Sequence, residues 1–110
     1  MSGRDAAGVL LMTYGSPETP SDVPAYLARI RGGRAADPEL VAEFTRRYAV
    51  IGGSPLVPIT RAQAAAVERR LGGEVPVEVG MRFSDPTIAD GLARLAARGA
   101  HRVAAIILSP

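Results

Sequence analysis

Apolar residues dominate the stretch from Val9 to Thr13, bounded by Gly8 on one side and Gly15-Ser16-Pro17 on the other. This pattern predicts a strand buried on both faces. A helix follows, with Ser21 as N-cap and Pro24 tolerated in the first turn. Val23, Leu27 and Ile30 form its apolar stripe, and Gly32-Gly33 stop it. Asp37-Pro38 opens the next helix as N-cap and first-turn proline, with Leu40, Phe44, Tyr48 and Ile51 facing inward up to Gly52-Gly53. Thr60-Arg61-Ala62-Gln63 reads as a capping box that opens a third helix, with Val67 and Leu71 inside and Gly72-Gly73 beyond its end.

Val75 to Met81 alternates weakly and predicts a second strand. Asp85-Pro86 repeats the cap-plus-proline signal for a fourth helix, marked by Ile88, Leu92 and Leu95 and ended by Gly99. Arg102 to Ser109 is a third, strongly apolar strand. Strands joined by helical crossovers imply an α/β fold, a parallel sheet with helices on both faces. There is no internal repeat and no low-complexity linker. The 110 residues make one small domain with a single core, marginal for enclosing a ligand. The last strand leads into Leu108-Ser109-Pro110, where a ligand-facing loop is expected, and its edge would lack a neighbour. The chain is therefore expected to be a truncation of something longer.

Composition narrows the function classes. Hydrophobic content of 47% with 22% charged residues is ordinary for a globular protein. The net charge is +2, yet all thirteen basic residues are arginine, the planar cation suited to carboxylates and phosphates. A compositional bias toward alanine and arginine explains the same count, so single arginines are weighed by position. The absence of cysteine excludes disulfides and thiolate metal sites in this segment. No signal peptide opens the chain and its first apolar run is too short to span a bilayer, so a soluble cytoplasmic protein is expected. There is no Gly-x-Gly-x-x-Gly or Walker loop, and no His/Asp/Glu cluster at metal-ligand spacing. Ser16, Ser54 and Ser84 have no histidine base in view. Basic residues alternate with acidic ones without interleaved aromatics, which argues against a nucleic-acid partner.

The candidate chemistry sits at strand and helix ends. Tyr14 enters the Gly/Pro turn at the edge where open α/β sheets hold ligands. There it serves either to stack on or ligate a flat ligand, or to cover the core edge. On a helical wheel Arg47 falls among Leu40, Phe44 and Ile51; it either pairs or reaches a ligand, or snorkels toward the carbonyl end of its helix. Tyr48 edges the same face. Arg31 and Arg34 lie at the C-terminal end of the first helix, which suits the dipole. Ser54 stands on a turn. Arg82 is a further cation at the strand-end edge, Asp85 is read as a helix cap, and His101 as an exposed loop residue remote from the ligand edge.

Taken together, six segments resemble one family. Leu10-Leu-Met-Thr-Tyr-Gly-Ser-Pro17, Arg29-Ile-Arg-Gly-Gly-Arg34, Arg47-Tyr48 with Ile51-Gly-Gly-Ser-Pro-Leu56, Ile59-Thr-Arg-Ala-Gln63, Val79-Gly-Met-Arg82 and Ile107-Leu-Ser-Pro110 look like ferrochelatase. The order holds across nearly the whole chain, and Tyr14 with Ile30-Arg31 looks most like the bacterial coproporphyrin ferrochelatases. The resemblance implies a chelatase-like, flavodoxin-like half-domain, with residues 1–110 as the N-terminal part of one chelatase domain. It implies insertion of ferrous iron, as substrate, into coproporphyrin III or protoporphyrin IX in haem biosynthesis. Tyr14 would be the axial ligand to porphyrin iron. Arg31, Arg47, Tyr48 and Ser54 would join it in contacting the macrocycle or its propionates. The resemblance places no catalytic base in this chain, because the family's metal-site histidine and glutamate lie further along. The Gly-Gly-Ser-Pro loop is one residue shorter than the common family form. The competing reading is a non-catalytic tetrapyrrole-binding half-domain, or a small chelatase that works as a homodimer.

Overall fold

Residues 6–109 are described by the structure, a computed structural model; the polar start at 1–5 and Pro110 of the last motif lie outside the described residues. The first apolar run becomes β1 (Ala7–Thr13). It is the middle strand of a three-stranded sheet, between β2 (Val77–Met81) and β3 (Arg102–Ile107). Both pairings are parallel, with Leu11 opposite Val79 on one side and Ile106 on the other. The α/β fold expected from the alternation of strands and helices is thus present.

Adjacent residues Leu10 and Leu11 are both buried. Successive side chains of a strand point to opposite faces, so both faces of β1 must be covered. On one face, helix α3 (Leu56–Arg70) packs Val57 and Ala64 against Leu11, Val77, Val79 and Met81. On the other, helix α4 (Ile88–Ala97) buries Leu95 completely. Gly91 lets α4 approach closely: a Cβ there would lie 2.6 Å from the Val79 carbonyl oxygen. The cover stops short of β3. All six of its residues are exposed, against the expectation of a buried strand. The physical reason is that α3 and α4 pack on β1 and β2, which leaves Val103, Ile106 and Ile107 open.

Three predicted helix starts shift. Thr19, with Asp22, forms the capping box of a short 3-10 turn (Pro20–Asp22), and α1 (Val23–Ile30) follows it; Ser21 is inside the turn. Helix α3 begins at Leu56, a turn before Thr60. Thr60 is buried and its hydroxyl donates to the Leu56 carbonyl at 2.8 Å, so it is an interior residue that satisfies itself locally. Pro58 fits the first turn because its missing N–H would have been unpaired anyway. Thr87, with Asp90, caps α4, and Asp85 lies ahead of the cap in a cis Asp85-Pro86 pair.

Helix α2 (Pro38–Val50) starts at Asp37-Pro38 as the sequence predicts. It packs on α1 and the 3-10 turn, and it turns Val41, Phe44, Thr45 and Tyr48 inward while Leu40 and Ile51 face out. The loop after it docks on the segment following β1. Gly53 has φ of 101°, and a Cβ there would fall 1.8 Å from the Glu18 carbonyl oxygen. Only glycine fits that approach.

The outer edge of β2 is closed by side chain and loop. Val77 N–H donates to Glu68 Oε1 at 2.8 Å, and Met81 N–H to the Pro86 carbonyl at 2.8 Å. Arg98 then bridges Glu68 Oε2 at 2.7 Å and Glu78 Oε2 at 2.8 Å, tying the end of α4 to α3 and β2. The Arg98 hydrogen bond, followed by that from Val77, holds the Glu68 carboxyl below the usual carboxylate range.

A carboxylate depressed on folding stabilises the protein above its unfolded pKa, and the gain vanishes as pH falls through the folded value. Glu68→Gln is therefore expected to lower the thermal midpoint at pH 7 and to converge on the parent at strongly acidic pH. Thermal melts followed by circular dichroism across that acid range check it; a constant offset at every pH would exclude the ionic contribution.

Candidate functional site

The three strands end at the same edge because they run parallel, and backbone bonds lock that edge together. Arg82 N–H donates to the Thr13 carbonyl at 3.0 Å, Phe83 N–H to the Tyr14 carbonyl at 2.9 Å, and Leu108 N–H to the Met12 carbonyl at 2.8 Å. Tyr14 N–H donates to Ser109 Oγ at 3.2 Å. Tyr14 is thus held through its backbone from both neighbouring strands, while the residue stays 46% exposed. Its ring stacks on Phe83 with centroids 6.2 Å apart and planes inclined by 25°. The Arg82 guanidinium lies 4.8 Å from the centre of the Phe83 ring.

The turn after Tyr14 is equally constrained. Gly15 N–H donates to Thr13 Oγ1 at 3.2 Å, and Ser16 N–H to Ser84 Oγ at 3.1 Å. The Tyr26 hydroxyl donates to the Gly15 carbonyl at 3.3 Å. Burial, and secondarily Tyr48 nearby, push the Tyr26 phenol above its ordinary pKa, which keeps it a donor. Ser54 N–H donates to the Pro17 carbonyl at 3.1 Å, and Ser54 Oγ accepts from Leu56 N–H at 3.2 Å. The structure therefore brings Ser54 to the turn that follows Tyr14, two residues ahead of α3.

A cavity of about 430 Å³ opens beside Tyr14, lined also by Met12, Ile88, Ile107, Arg82 and Ser109. None of Arg31, Arg47, Tyr48 and Ser54 lines it. Arg47 is not directed into a core. Its side chain is 65% exposed, its Nε donates to Glu43 Oε1 at 3.0 Å, and it sits over the Phe44 ring. Arg46 pairs with the same carboxylate. The two arginines pull the Glu43 carboxyl below its usual range, chiefly through the Arg46 hydrogen bond. Tyr48 is half-buried, and exposed Arg31 forms the C-cap of α1, with no carboxylate at ion-pair distance among the described residues. His101 is exposed beyond α4, where its N–H meets the Ala6 carbonyl, at the opposite end of the sheet from Tyr14.

Phe83 and Ser109 are the neighbours of Tyr14 that residue-by-residue reading missed. The sequence carries no local signal for them; the strand register brings them together, with Thr13 paired to Met81 and Met12 to Ile107. Among the described residues no group of three or more His, Cys, Asp or Glu is placed to hold a metal ion. No helix of the described residues is long and apolar enough to cross a membrane.

Comparison with known proteins identifies the company these features keep. The ferrochelatase family profile matches residues 6–110. A ferrochelatase of Deinococcus radiodurans is 38% identical over all of this chain and 36% of its own length. One of Acidobacterium capsulatum is 37% identical, over 97% of this chain and 32% of its own length. A coproporphyrin III ferrochelatase of Geobacillus thermodenitrificans is 38% identical, over 97% and 36% respectively. The chain spans about a third of the length of these curated relatives. With its profile match covering nearly every residue and relatives this similar along its whole length, the chain belongs to the ferrochelatase family.

Proposed function

We propose that this chain is the N-terminal portion of a cytoplasmic ferrochelatase, a lyase that inserts ferrous iron into coproporphyrin III or protoporphyrin IX. The observation that carries this reading is Tyr14, a phenol held through its backbone from two sides and half-exposed beside a cavity at the ligand edge of a parallel sheet. A porphyrin is a flat apolar disc with carboxylates at its rim. It needs an apolar slot with guanidinium and hydroxyl groups around it. Met12, Ile88 and Ile107 supply apolar wall, and the Tyr14 oxygen would ligate porphyrin iron.

Arg31, Arg47, Tyr48 and Ser54 take the carboxylates and the macrocycle edge. The Arg47–Glu43 pair is exposed, and pairs of that kind hold their partners weakly, so the guanidinium can turn to a ligand. Ser54 Oγ accepts from Leu56 N–H, which leaves its own hydrogen for a ligand oxygen. Arg82 is a further cation at the cavity rim. Insertion replaces two pyrrole N–H protons with the metal, so a general base must accept both; a near-neutral histidine suits that role. His101 stands at the wrong end of the sheet. The base and the metal-site half therefore belong to the portion of the relatives' length outside this chain's match, and the uncovered apolar residues of β3 support packing of further polypeptide there.

The purified 110-residue chain is expected to form no iron porphyrin from ferrous iron and coproporphyrin III, read by absorbance; clear turnover would overturn the assignment of the base elsewhere. Tyr14→Phe removes only a hydroxyl from an exposed ring. The visible spectrum of bound ferric coproporphyrin III should change with it while the far-ultraviolet circular dichroism does not. An unchanged spectrum removes the axial role. Arg47→Leu should leave the apo melting temperature nearly unchanged, because the side chain is exposed. It should weaken porphyrin binding by about 1.5 kcal/mol, the low end for a charge-assisted hydrogen bond. Unchanged affinity in a binding titration would make Arg47 a partner of Glu43 alone.

A further inference from the structure

We infer that Phe83 is a positioning residue for Tyr14: its ring is the shelf that fixes the direction in which the phenol oxygen points. The inference rests on the reading of Tyr14 as an axial ligand. A ligand oxygen that wanders cannot meet a metal at one distance. The bond from Phe83 N–H to the Tyr14 carbonyl, 2.9 Å, fixes the separation of the two backbones. From that fixed base the rings meet in an offset stack at 6.2 Å and 25°, an arrangement that aromatic quadrupoles favour.

Phe83 is itself restrained. It is half-buried and carries the Arg82 guanidinium 4.8 Å from its centre. Phe83 also lines a second cleft of about 280 Å³, shared with Ser16 and Tyr26. Ser16 N–H meets Ser84 Oγ immediately after Phe83, which leaves the Phe83 backbone little room to shift. The shelf therefore belongs to the same locked edge as the residue it supports.

The test compares Phe83→Leu, which removes the ring, with Phe83→Tyr, which keeps it, in the 110-residue chain. Without ligand, proton NMR of the parent should show Tyr14 in one side-chain rotamer, with ring protons displaced upfield and cross-peaks to Phe83. Phe83→Leu should lose the displacement and average the rotamers, and Phe83→Tyr should restore both. With ferric coproporphyrin III bound, Phe83→Leu should give a mixed or weakened tyrosinate-to-iron band, and Phe83→Tyr the parent band. If Phe83→Leu does not fold by circular dichroism, Phe83→Met provides apolar volume without a ring. A single Tyr14 rotamer that persists in a folded ringless variant overturns the inference. A spectrum that Tyr14→Phe leaves unchanged would instead sink the axial reading, while the NMR arm still judges the shelf.

Discussion

Because β1 is hydrogen-bonded along both edges, its carboxyl end cannot move independently of either neighbour. Parallel pairing carries all three strand ends to one side, and the register puts the residue after Thr13 between the segments after Met81 and Ile107. Tyr14 inherits its position from that ladder. Its backbone N–H and carbonyl are both paired there, while the residue stays exposed. The position costs no buried unpaired donor or acceptor, which a loop carrying a ligand group would otherwise risk.

Two close approaches let the surrounding loops pack this tightly. Gly15 has φ of 90°, and a Cβ there would fall 2.2 Å from Ser84 Oγ, so the turn after Tyr14 lies directly on the segment after β2. Gly53 does the same for the loop between α2 and α3, against Glu18. The result is a chain of contacts from Ser84 through Ser16 and Pro17 to Ser54.

The two sheet edges differ in a way that bears on assembly. At β2, the Glu68 carboxylate takes the Val77 N–H, the Pro86 carbonyl takes the Met81 N–H, and Arg98 bridges Glu68 and Glu78. At β3 the six residues are exposed and mostly apolar. The unprotected apolar edge of the described residues is therefore at β3. The arginines divide along the same lines: Arg98 is bound to two carboxylates in the clasp, whereas Arg47 and Arg82 rest on aromatic rings at the surface.

The sequence by itself determined the number, type and order of the strands and α-helices, because apolar period, glycine stops and X-Pro starts are local signals. It also carried the family, through Tyr14, Arg31, Arg47-Tyr48 and the Gly-Gly-Ser-Pro loop read together. Helix starts were legible only where the local signal had no rival. Asp37-Pro38 held, while Thr60 mimicked a cap although tertiary packing had already drawn its turn into α3. The inward face of α2 was not legible, since Leu40 and Val41 are both apolar and only the position of α1 chooses between them. The exposure of Arg47 follows from the same choice. That β3 would be uncovered was equally hidden, because an apolar run states what a strand can bury and not whether a helix arrives to bury it. The stack of Tyr14 on Phe83 joins residues far apart in the chain, and only the strand register, a property of the folded sheet, brings them together.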